Sequence, residues 1–492
     1  MDAWAILACI AGYFVVLQAV AWWATRRGKG GMRSFFLAGR SVPWYVVAFG
    51  MVGSSLSGVS FISVPGDVGA PVVAGSGLAR QGGYMQVVLG YAAGYAVIAL
   101  LLIPLYYRYN LTSIYGYVGE RLGTASRKTA ALLFVVSRTL GAVLRLYLAV
   151  GVLQWMVFDS LGVPFVVTGA FTVVFIASYT GKGGMQAVVW TDVLQTAVMV
   201  LALAASVVYI SASLGISNPV SHYFSGPYGK VFFWDPALPN FFPKQFFGGM
   251  FLAIVMTGLD QDMMQKNLTC RTAKESQWNI AGYSAAVALV SALLVMLGGL
   301  LYEYAGAGDM SVAAQADQIF PRTALERFVP GVAVLVVLGL VAAAYNSADG
   351  SLTALTTSIM VDVFENESDV RLKNYVYAGM SALFVALMTG VYYGASSGIL
   401  GENVVTMALG WAGYTYGPLL GLFAYGMFTR RAVRDGLVPV VCVSAPFLTY
   451  AFNQALENGF GYRAGYETVV FNGLITFAGL WVTGRRQAAS SR

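Results

Sequence analysis

The sequence predicts an all-α polytopic membrane protein with about thirteen transmembrane helices, in which two inverted five-helix repeats form a core surrounded by peripheral helices. Three observations lead to this fold class. The 492-residue chain is 58% hydrophobic and only 10% charged, whereas a soluble protein carries about 25% charged residues. Thirteen segments are apolar and long enough to cross a bilayer. Two of them, five segments apart, are interrupted by small polar residues.

The thirteen segments can be tested against the positive charges between them. They begin near Trp4, Trp44, Met85, Ala130, Pro164, Ala187, Phe247, Ile280, Val332, Tyr377, Val404, Leu437 and Val469. Cytoplasmic loops carry an excess of Lys and Arg. The loops assigned to the outside hold only Arg80, Lys230, Lys244, Arg322, Arg327 and Arg463. Apart from Arg138 and Arg145 in the fourth segment, the other Lys and Arg residues fall in loops assigned to the inside.

This asymmetry predicts a multi-pass protein of the plasma (inner) membrane, with its N-terminus outside and its C-terminus in the cytoplasm. The segments group into five regions. These are an N-terminal helix and cytoplasmic loop (1–42), a first five-helix repeat (43–213), an external loop (214–245), a second five-helix repeat (246–427) and C-terminal peripheral helices (428–492).

The second and seventh segments read as broken helices. Gly and Ser cluster between Gly53 and Ser60 in the second segment, and Thr257 and Gly258 form a weak point in the seventh. Such residues weaken a helix and leave backbone carbonyls free for a cation, although they also allow close helix packing. Two interrupted helices, each opening a group of five, are typical of a transporter with inverted repeats and a binding site near the bilayer midplane.

The ninth segment carries a polar stripe in an apolar helix. Steps of three and four residues place Asn346, Asp349, Thr353 and Thr357 on one face. A carboxylate inside a span costs about 2.5 to 3.5 kcal/mol on insertion scales, so Asp349 is expected to face the interior and meet a cation or a donor. The stripe therefore indicates a cation site or, alternatively, hydrogen bonds between helices.

Three further polar residues lie inside predicted spans. Asp192, near the start of the sixth segment, is either a cation ligand or an acid that reaches toward the membrane surface. Arg145 lies deep in the fourth segment, and its guanidinium requires either a protein carboxylate or the carboxylate of a solute. Gln86 is placed to offer an amide to a solute or to a neighbouring helix.

Several other functions find no support in the sequence. The three cysteines have no metal-ligand spacing, and the single histidine, His222, lies in a predicted external loop. No phosphate-binding GxxxxGK[ST] motif is present, and no nucleophile and base motif is visible. The sequence therefore predicts no catalytic residues, no nucleotide and no nucleic acid as partner.

Four stretches resemble the sodium:solute symporter family, also described as solute carrier 5-like. They are PLYYRYNLTSIYGYVGERLG, YTGKGGMQAVVWTDVLQTAVM, GLDQDMMQKNLT and AAAYNSADGSLTALTTSIMVDVF, and the likeness runs from about Gly39 to Phe364. Members of the family carry sugars, amino acids, sialic acid, iodide, vitamins or monocarboxylates together with Na+. The resemblance implies a LeuT-like core of two inverted five-helix repeats.

The resemblance also implies cation-binding positions. The main Na+ site of the family corresponds here to the backbone carbonyls of Gly53, Leu56 and Ala343 and the side chains of Asn346 and Ser347. Most members have a hydroxyl residue where this chain has Asn346. A second cation site, for Na+ or H+, corresponds to Asp192, Asn346 and Asp349, with Gly350 beside them.

By analogy with the family, the solute lies beside the first broken helix. The implied substrate-binding residues are Ser57, Ser60, Gln86, Arg145, Met256, Thr257 and Trp411. Arg145 falls near the position where sialate carriers of the family have a carboxylate-binding Arg.

The expected function is Na+-coupled import of a small organic solute through the lipid bilayer by alternating access. Arg145 favours a small organic anion such as a sialate or a carboxylate. The alternative is a neutral sugar or amino acid, in which case Arg145 pairs within the protein, for example with Asp349. A more distant alternative is a Na+-sensing or channel-like membrane protein.

Overall fold

The computed structural model describes residues 3–27, 31–72, 78–306, 316–397, 404–462 and 464–484. In these ranges the chain is helical apart from its connections and one isolated bridge between Pro71 and Ala79. The helices that cross or flank the bundle are α1 (Ala3–Arg27), α2 (Met32–Leu37), α3 (Trp44–Ser55), α4 (Gly58–Asp67), α5 (Gln81–Arg108), α6 (Tyr115–Leu122), α7 (Thr124–Leu153), α8 (Phe165–Gly183), α9 (Met185–Ser213), α10 (Pro219–Ser225), α11 (Phe242–Gly258), α12 (Gln261–Asn267), α13 (Ala273–Ala305), α14 (Ile319–Arg327), α15 (Pro330–Val363), α16 (Val370–Ser396), α17 (Val404–Phe428), α18 (Val438–Phe460) and α19 (Thr468–Thr483).

The described residues contain nine helices long and apolar enough to cross a membrane, or up to eleven when each of two bent helix pairs is counted as one span. Helices α17 and α19 lie at the other two predicted segments, and α19 is only 16 residues long. The all-helical, polytopic fold class is thereby confirmed. The count of thirteen spans, the inverted repeats and the five-region division stay predictions.

Both predicted helix breaks are confirmed. The chain bends by 62° between α3 and α4, and by 70° between α11 and α12. The first break follows Ser55 in the Gly and Ser cluster, and the second follows Gly258, where the last turn of α11 has π-helical hydrogen bonding. Breaks and π turns of this kind are frequent at functional sites because they release backbone groups from the helical ladder.

Helix α15 forms the centre of the bundle. Every residue from Gly339 to Ser358 is buried, and the helix packs against α7, α9 and both halves of the first broken helix. In contrast, only 22% of the residues in the most apolar stretches of α16 and α18 are buried, and α18 exposes the apolar side chains of Val440, Val443 and Phe447. A polar stripe on the most buried helix and apolar side chains on the outermost ones fit a bundle that is surrounded by lipid.

The predicted external loop folds over one end of the bundle. It contains the short helix α10, and its backbone is tied to α5 by the buried side chain of Gln86. The Gln86 amide group donates to the carbonyl of Asn240 (3.0 Å), and its oxygen accepts from the N–H of Phe233 (3.1 Å). Gln86 therefore anchors this loop.

Candidate functional site

A cavity of about 360 Å³ lies between the two broken helices, α7 and α17. Its inner end is formed by Ser54 and Arg138, and its outer end reaches the Asp67–Arg80 ion pair, whose side chains are 43% and 48% exposed. The cavity therefore opens at the end of the bundle that carries Asp67 and Arg80, which the charge pattern assigns to the outside. Its volume suits one small ligand.

The opposite end of the bundle is closed by polar contacts. Asp362 on α15 accepts hydrogen bonds from Arg127 (2.8 Å) and Ser113 (2.5 Å). Nearby, the Gln265 amide donates to the carbonyl of Phe36 (2.6 Å) and to the hydroxyl of Thr357 (2.8 Å). These bonds join α2, α7, α12, α15 and the segment before α6, so the structure is open on one side and sealed on the other.

The break between α3 and α4 presents bare backbone oxygens. The Leu56 N–H still bonds to the carbonyl of Val52 (2.8 Å). The helical hydrogen bonds stop there. Among the described residues, the carbonyls of Gly53 and Leu56 accept no hydrogen bond. The C-terminal end of a helix carries partial negative charge. The break is therefore a suitable place for a cation.

Helix α15 brings side-chain oxygens to the same place. A Cβ atom on Gly53 would lie 2.6 Å from Asn346 Nδ2, so the two helices touch there. The buried Asn346 Oδ1 accepts a hydrogen bond from the Ser54 hydroxyl (2.5 Å). The Ser347 hydroxyl is also buried and has no hydrogen-bond partner among the described residues. An unpartnered buried hydroxyl, on a helix that meets the break with its free carbonyls, has the donor chemistry that a hard cation requires.

The acids of the second predicted cation site have different partners. Asp349 Oδ1 accepts from the N–H of Gly350 (2.6 Å), and its Oδ2 accepts from the Tyr179 hydroxyl (3.0 Å). Asp192 is 1% exposed and forms an ion pair with Lys266, with 2.8 Å between Nζ and Oδ2. Asp192 is therefore a fully buried acid with a cationic partner and does not reach the membrane surface.

The position of Lys266 differs from the one that the sequence predicts. The charge pattern placed it in a loop on the inside, but it lies on α12 and is 1% exposed. Its Nζ donates to Ser54 Oγ (2.5 Å) and also lies 3.7 Å from Asp262 Oδ1. The ammonium therefore sits at the first helix break among groups from α3, α9 and α12.

Arg138 holds a second group of buried acids. Its guanidinium forms ion pairs with Asp262 and, at 3.5 Å, with Asp260, and its Nε donates to Ser351 Oγ (2.8 Å). Asp260 also accepts from the Tyr416 hydroxyl on α17 (2.6 Å). This network fixes α7, the second helix break, α15 and α17 to each other at the inner end of the cavity.

Arg145 has much weaker contacts. Its Nε donates to the carbonyl of Gly141 on its own helix (2.9 Å), and it makes no salt bridge to any described acid, Asp349 included. The partly buried side chain lines the cavity. The terminal nitrogens of a guanidinium form a planar fork that matches a carboxylate. Arg145 is therefore available to a ligand in the cavity.

The other predicted substrate residues divide into three groups. Ser57, Ser60, Met256 and Thr257 line the same cavity as Arg145. Gln86 lies outside it, bound to the external loop. The side chain of Trp411 lies outside the described part of the structure.

Sequence reasoning missed Ser54, Asp260, Asp262, Lys266 and Tyr416. A usable signal was present in GLDQDMMQKN, where two acids and a lysine follow a helix break, with Asp262 and Lys266 spaced by four residues. Charges that follow a break within a span face the interior more often than those in a loop.

Two broken helices around a cavity, with charged side chains held inside an apolar bundle, are typical of a secondary transporter. The sequence model of the sodium:solute symporter family matches residues 35–439. The chain belongs to this family. It is therefore a Na+-coupled solute symporter and a multi-pass membrane protein, and the family is one of transporters and not of enzymes.

Curated relatives match most of the chain. Sodium-coupled monocarboxylate transporter 1 of Mus musculus is 27% identical over 440 residues, which cover 86% of this chain and 69% of the mouse protein. Sodium-coupled monocarboxylate transporter 2 of Danio rerio is 27% identical over 434 residues, or 85% of this chain and 67% of that protein. The Homo sapiens sodium/iodide cotransporter is 26% identical over 433 residues, or 83% and 64%.

Two solved structures share the fold. The substrate-bound outward-open state of a Na+-coupled sialic acid symporter has a TM-score of 0.75 at 18% identity, covering 98% of this chain and 99% of that one. A nucleobase-cation-symport-1 family transporter in a closed conformation has a TM-score of 0.53 at 15% identity, covering 92% and 93%.

Proposed function

We propose that this protein imports a small organic anion, such as a short carboxylate or a sialate, together with Na+ by alternating access. The observation that carries the proposal is Arg145. Its guanidinium lines the cavity, and its one hydrogen-bond partner within the described residues is a carbonyl of its own helix, so a solute carboxylate would complete its coordination. The monocarboxylate transporters and the sialic acid symporter among the similar proteins support an anionic solute.

The proposed Na+ site uses the oxygens at the first helix break. Gly53, Leu56 and Ala343 supply backbone carbonyls, and Asn346 and Ser347 supply side-chain oxygens. Within the described ranges, the Ser347 hydroxyl and the carbonyls of Gly53 and Leu56 have no hydrogen-bond partner, which supports this assignment. Asn346 Oδ1 already accepts from Ser54, but an amide oxygen has two lone pairs and retains one for a cation.

The buried charges also favour a bound cation. The acids at the bundle centre, Asp192, Asp260, Asp262 and Asp349, are at most 1% exposed, and the fully buried cations among the described residues there are Arg138 and Lys266. Two of the four carboxyl groups therefore have no fully buried cation to balance them. Since an uncompensated charge in a low-dielectric interior is costly, a bound Na+ would allow one of these groups to carry its charge.

The shape of the bundle supports the transport cycle. Na+ bound between the break and α15 would hold α3 and α15 together and stabilise the form that is open toward Asp67 and Arg80. The solute would then reach Arg145 and close this outer end, after which the contacts of Asp362 release at the other end. Each Na+ that enters down 100 mV contributes about 2.3 kcal/mol to the uphill solute.

The orientation is part of the proposal. The loop charges favour an N-terminus outside and a C-terminus in the cytoplasm of the plasma (inner) membrane, and in this orientation the cavity faces outward. A neutral sugar or amino acid is the second candidate, and it requires Arg145 to be neutralised by a protein acid.

Uptake into proteoliposomes tests the proposal. Purified protein is reconstituted and given a radiolabelled short carboxylate, a sialate, a hexose or an amino acid, with an inward gradient of either NaCl or KCl. We expect accumulation of a carboxylate or a sialate in the Na+ gradient alone. Accumulation of only the hexose or the amino acid would replace the anion by the second candidate, and accumulation independent of Na+ would overturn the coupling.

A further inference from the structure

The Lys266 ammonium contacts one of the three residues of the second cation site that the family resemblance implies. That site corresponds to Asp192, Asn346 and Asp349. Lys266 Nζ is 2.8 Å from Asp192 Oδ2, and it reaches this acid from α12, on the far side of the second helix break. The side chain is 1% exposed, so the charge is held inside the bundle.

The surroundings of the ammonium are those of a bound cation. Oxygen atoms approach it from three helices: Asp192 Oδ2 on α9 at 2.8 Å, Ser54 Oγ on α3 at 2.5 Å, and Asp262 Oδ1 on α12 at 3.7 Å. An ammonium has three donors and no acceptor, and this arrangement gives it acceptors on several sides. A metal cation at the same point would need the same oxygens.

Helix α15 completes the space around the ammonium. A Cβ atom on Gly350 would lie 2.7 Å from Lys266 Nζ and 2.5 Å from Asp262 Oδ1. Any larger residue at this position would therefore displace the ammonium or the carboxylate. Gly350 follows Asp349 directly, which places the ammonium beside the part of α15 that the second cation site requires.

Ser54 connects the ammonium to the proposed Na+ site. Its oxygen accepts from Lys266, and its hydroxyl proton is directed to Asn346 Oδ1 at 2.5 Å. A second acceptor for that proton, Asp192 Oδ2, is further away at 3.4 Å. The ammonium and the Na+ site are thus neighbours that share one serine.

We propose that Lys266 is a built-in cation that occupies the second cation position, so that the protein binds a single Na+, at Ser347. Two like charges at the same oxygens repel each other strongly in a low-dielectric interior, so Lys266 and a second Na+ exclude each other. The inference rests on the proposed Na+ site and adds the number of ions bound there.

Equilibrium binding of ²²Na+ to the purified full-length protein tests this inference. The wild type is compared with Lys266→Ala, which opens the space, and with Lys266→Arg, which retains a cation. Lys373→Ala is the matched control, because Lys373 is a largely buried lysine that donates to the carbonyl of Gly181, away from the proposed site. We expect one Na+ per protein for the wild type, Lys266→Arg and Lys373→Ala, and two for Lys266→Ala.

The outcomes separate this inference from the proposed function. One Na+ in both the wild type and a folded Lys266→Ala would overturn the role of Lys266 and leave the proposed function intact. Two Na+ in the wild type would overturn the inference without any variant, even if Lys266→Ala does not fold. A wild type that binds no Na+ would overturn the proposed Na+ site and this inference with it.

Discussion

Arg138 and Arg145 lie seven residues apart on the same face of α7, yet in the part of the chain that the structure describes only Arg138 is paired with acids. Arg138 contacts Asp260 and Asp262, whereas Arg145 bonds to a carbonyl of its own helix and lines the cavity. Spacing in the sequence gives the two residues equivalent positions on the helix. Their surroundings differ, so Arg138 is a structural cation and Arg145 is available to a ligand. Variants of the two residues should therefore have different effects on stability and on ligand binding.

The first prediction concerns ligand binding. Arg145→Gln removes the charge that faces the cavity, and we expect the affinity for the anionic solute to fall about 10- to 100-fold, because hydrogen bonds between charged groups contribute about 1.5 to 3 kcal/mol. Solute binding to purified protein, measured by calorimetry in NaCl, checks this. Na+ binding in the absence of solute is the control and should be retained. Unchanged solute affinity would remove Arg145 from the site.

The second prediction concerns stability. Arg138→Gln leaves Asp260 and Asp262 without their common buried partner, and breaking a buried ion pair costs about 3 to 5 kcal/mol. We expect a marked fall in thermal stability without solute, while Arg145→Gln, the matched variant on the same helix, retains nearly the wild-type value. Equal stability of the two variants would contradict the division between the arginines.

The third prediction concerns the Na+ site. Ser347→Ala removes the partnerless hydroxyl, and we expect the Na+ half-saturation constant of uptake to rise about 3- to 10-fold, since one such contact contributes about 1 kcal/mol. Ser206→Ala is the matched control, because this buried hydroxyl donates only to the Ala202 carbonyl of its own helix. A Ser347→Ala protein with the Na+ dependence of the wild type would exclude this residue from the site.

The fourth prediction concerns the close contact at the first helix break. In Gly53→Ala the new methyl group would lie 2.5 Å from Thr196 Oγ1 and 2.6 Å from Asn346 Nδ2, so the helices must separate. Overpacking of this kind costs about 1 to 3 kcal/mol, and we expect both stability and Na+ affinity to fall.

Gly151 on α7 provides the control, since a Cβ atom there meets nothing within 4 Å. Gly151→Ala should leave Na+ affinity unchanged and raise stability by about 0.5 to 1 kcal/mol, as Ala favours a helix interior over Gly. Similar losses in both glycine variants would indicate a general effect of the substitution and not a contact at the cation site.

The helix breaks could be predicted from the sequence because their cause is local. The Gly and Ser residues between Gly53 and Ser60, and the pair Thr257 and Gly258, weaken a helix wherever they occur. The polar stripe of α15 was equally visible, because its acid, its amide and its two hydroxyls interrupt an apolar run. These features needed no knowledge of neighbouring helices.

The partners of the charged residues could not be predicted in this way. Lys266 was assigned to a loop because hydropathy alone cannot distinguish a short polar helix that turns inward from one that faces water. Its contact with Asp192 joins residues 74 positions apart, and only the packing of α12 against α3 and α9 creates it. Gln86 likewise bonds to a loop more than 140 residues away.

The most direct test of Na+-coupled anion binding is the thermal stability of the detergent-purified protein in NaCl and in KCl, with short carboxylates, sialates, sugars and amino acids added in turn. A ligand that binds the folded state raises its melting temperature, and coupled sites make this rise depend on Na+. We predict that a carboxylate or a sialate stabilises the wild type in NaCl but not in KCl, and that Arg145→Gln loses this response. Two results would contradict Na+-coupled anion binding. One is stabilisation by a carboxylate or a sialate that is equal in the two salts, and the other is stabilisation by a neutral sugar or amino acid alone.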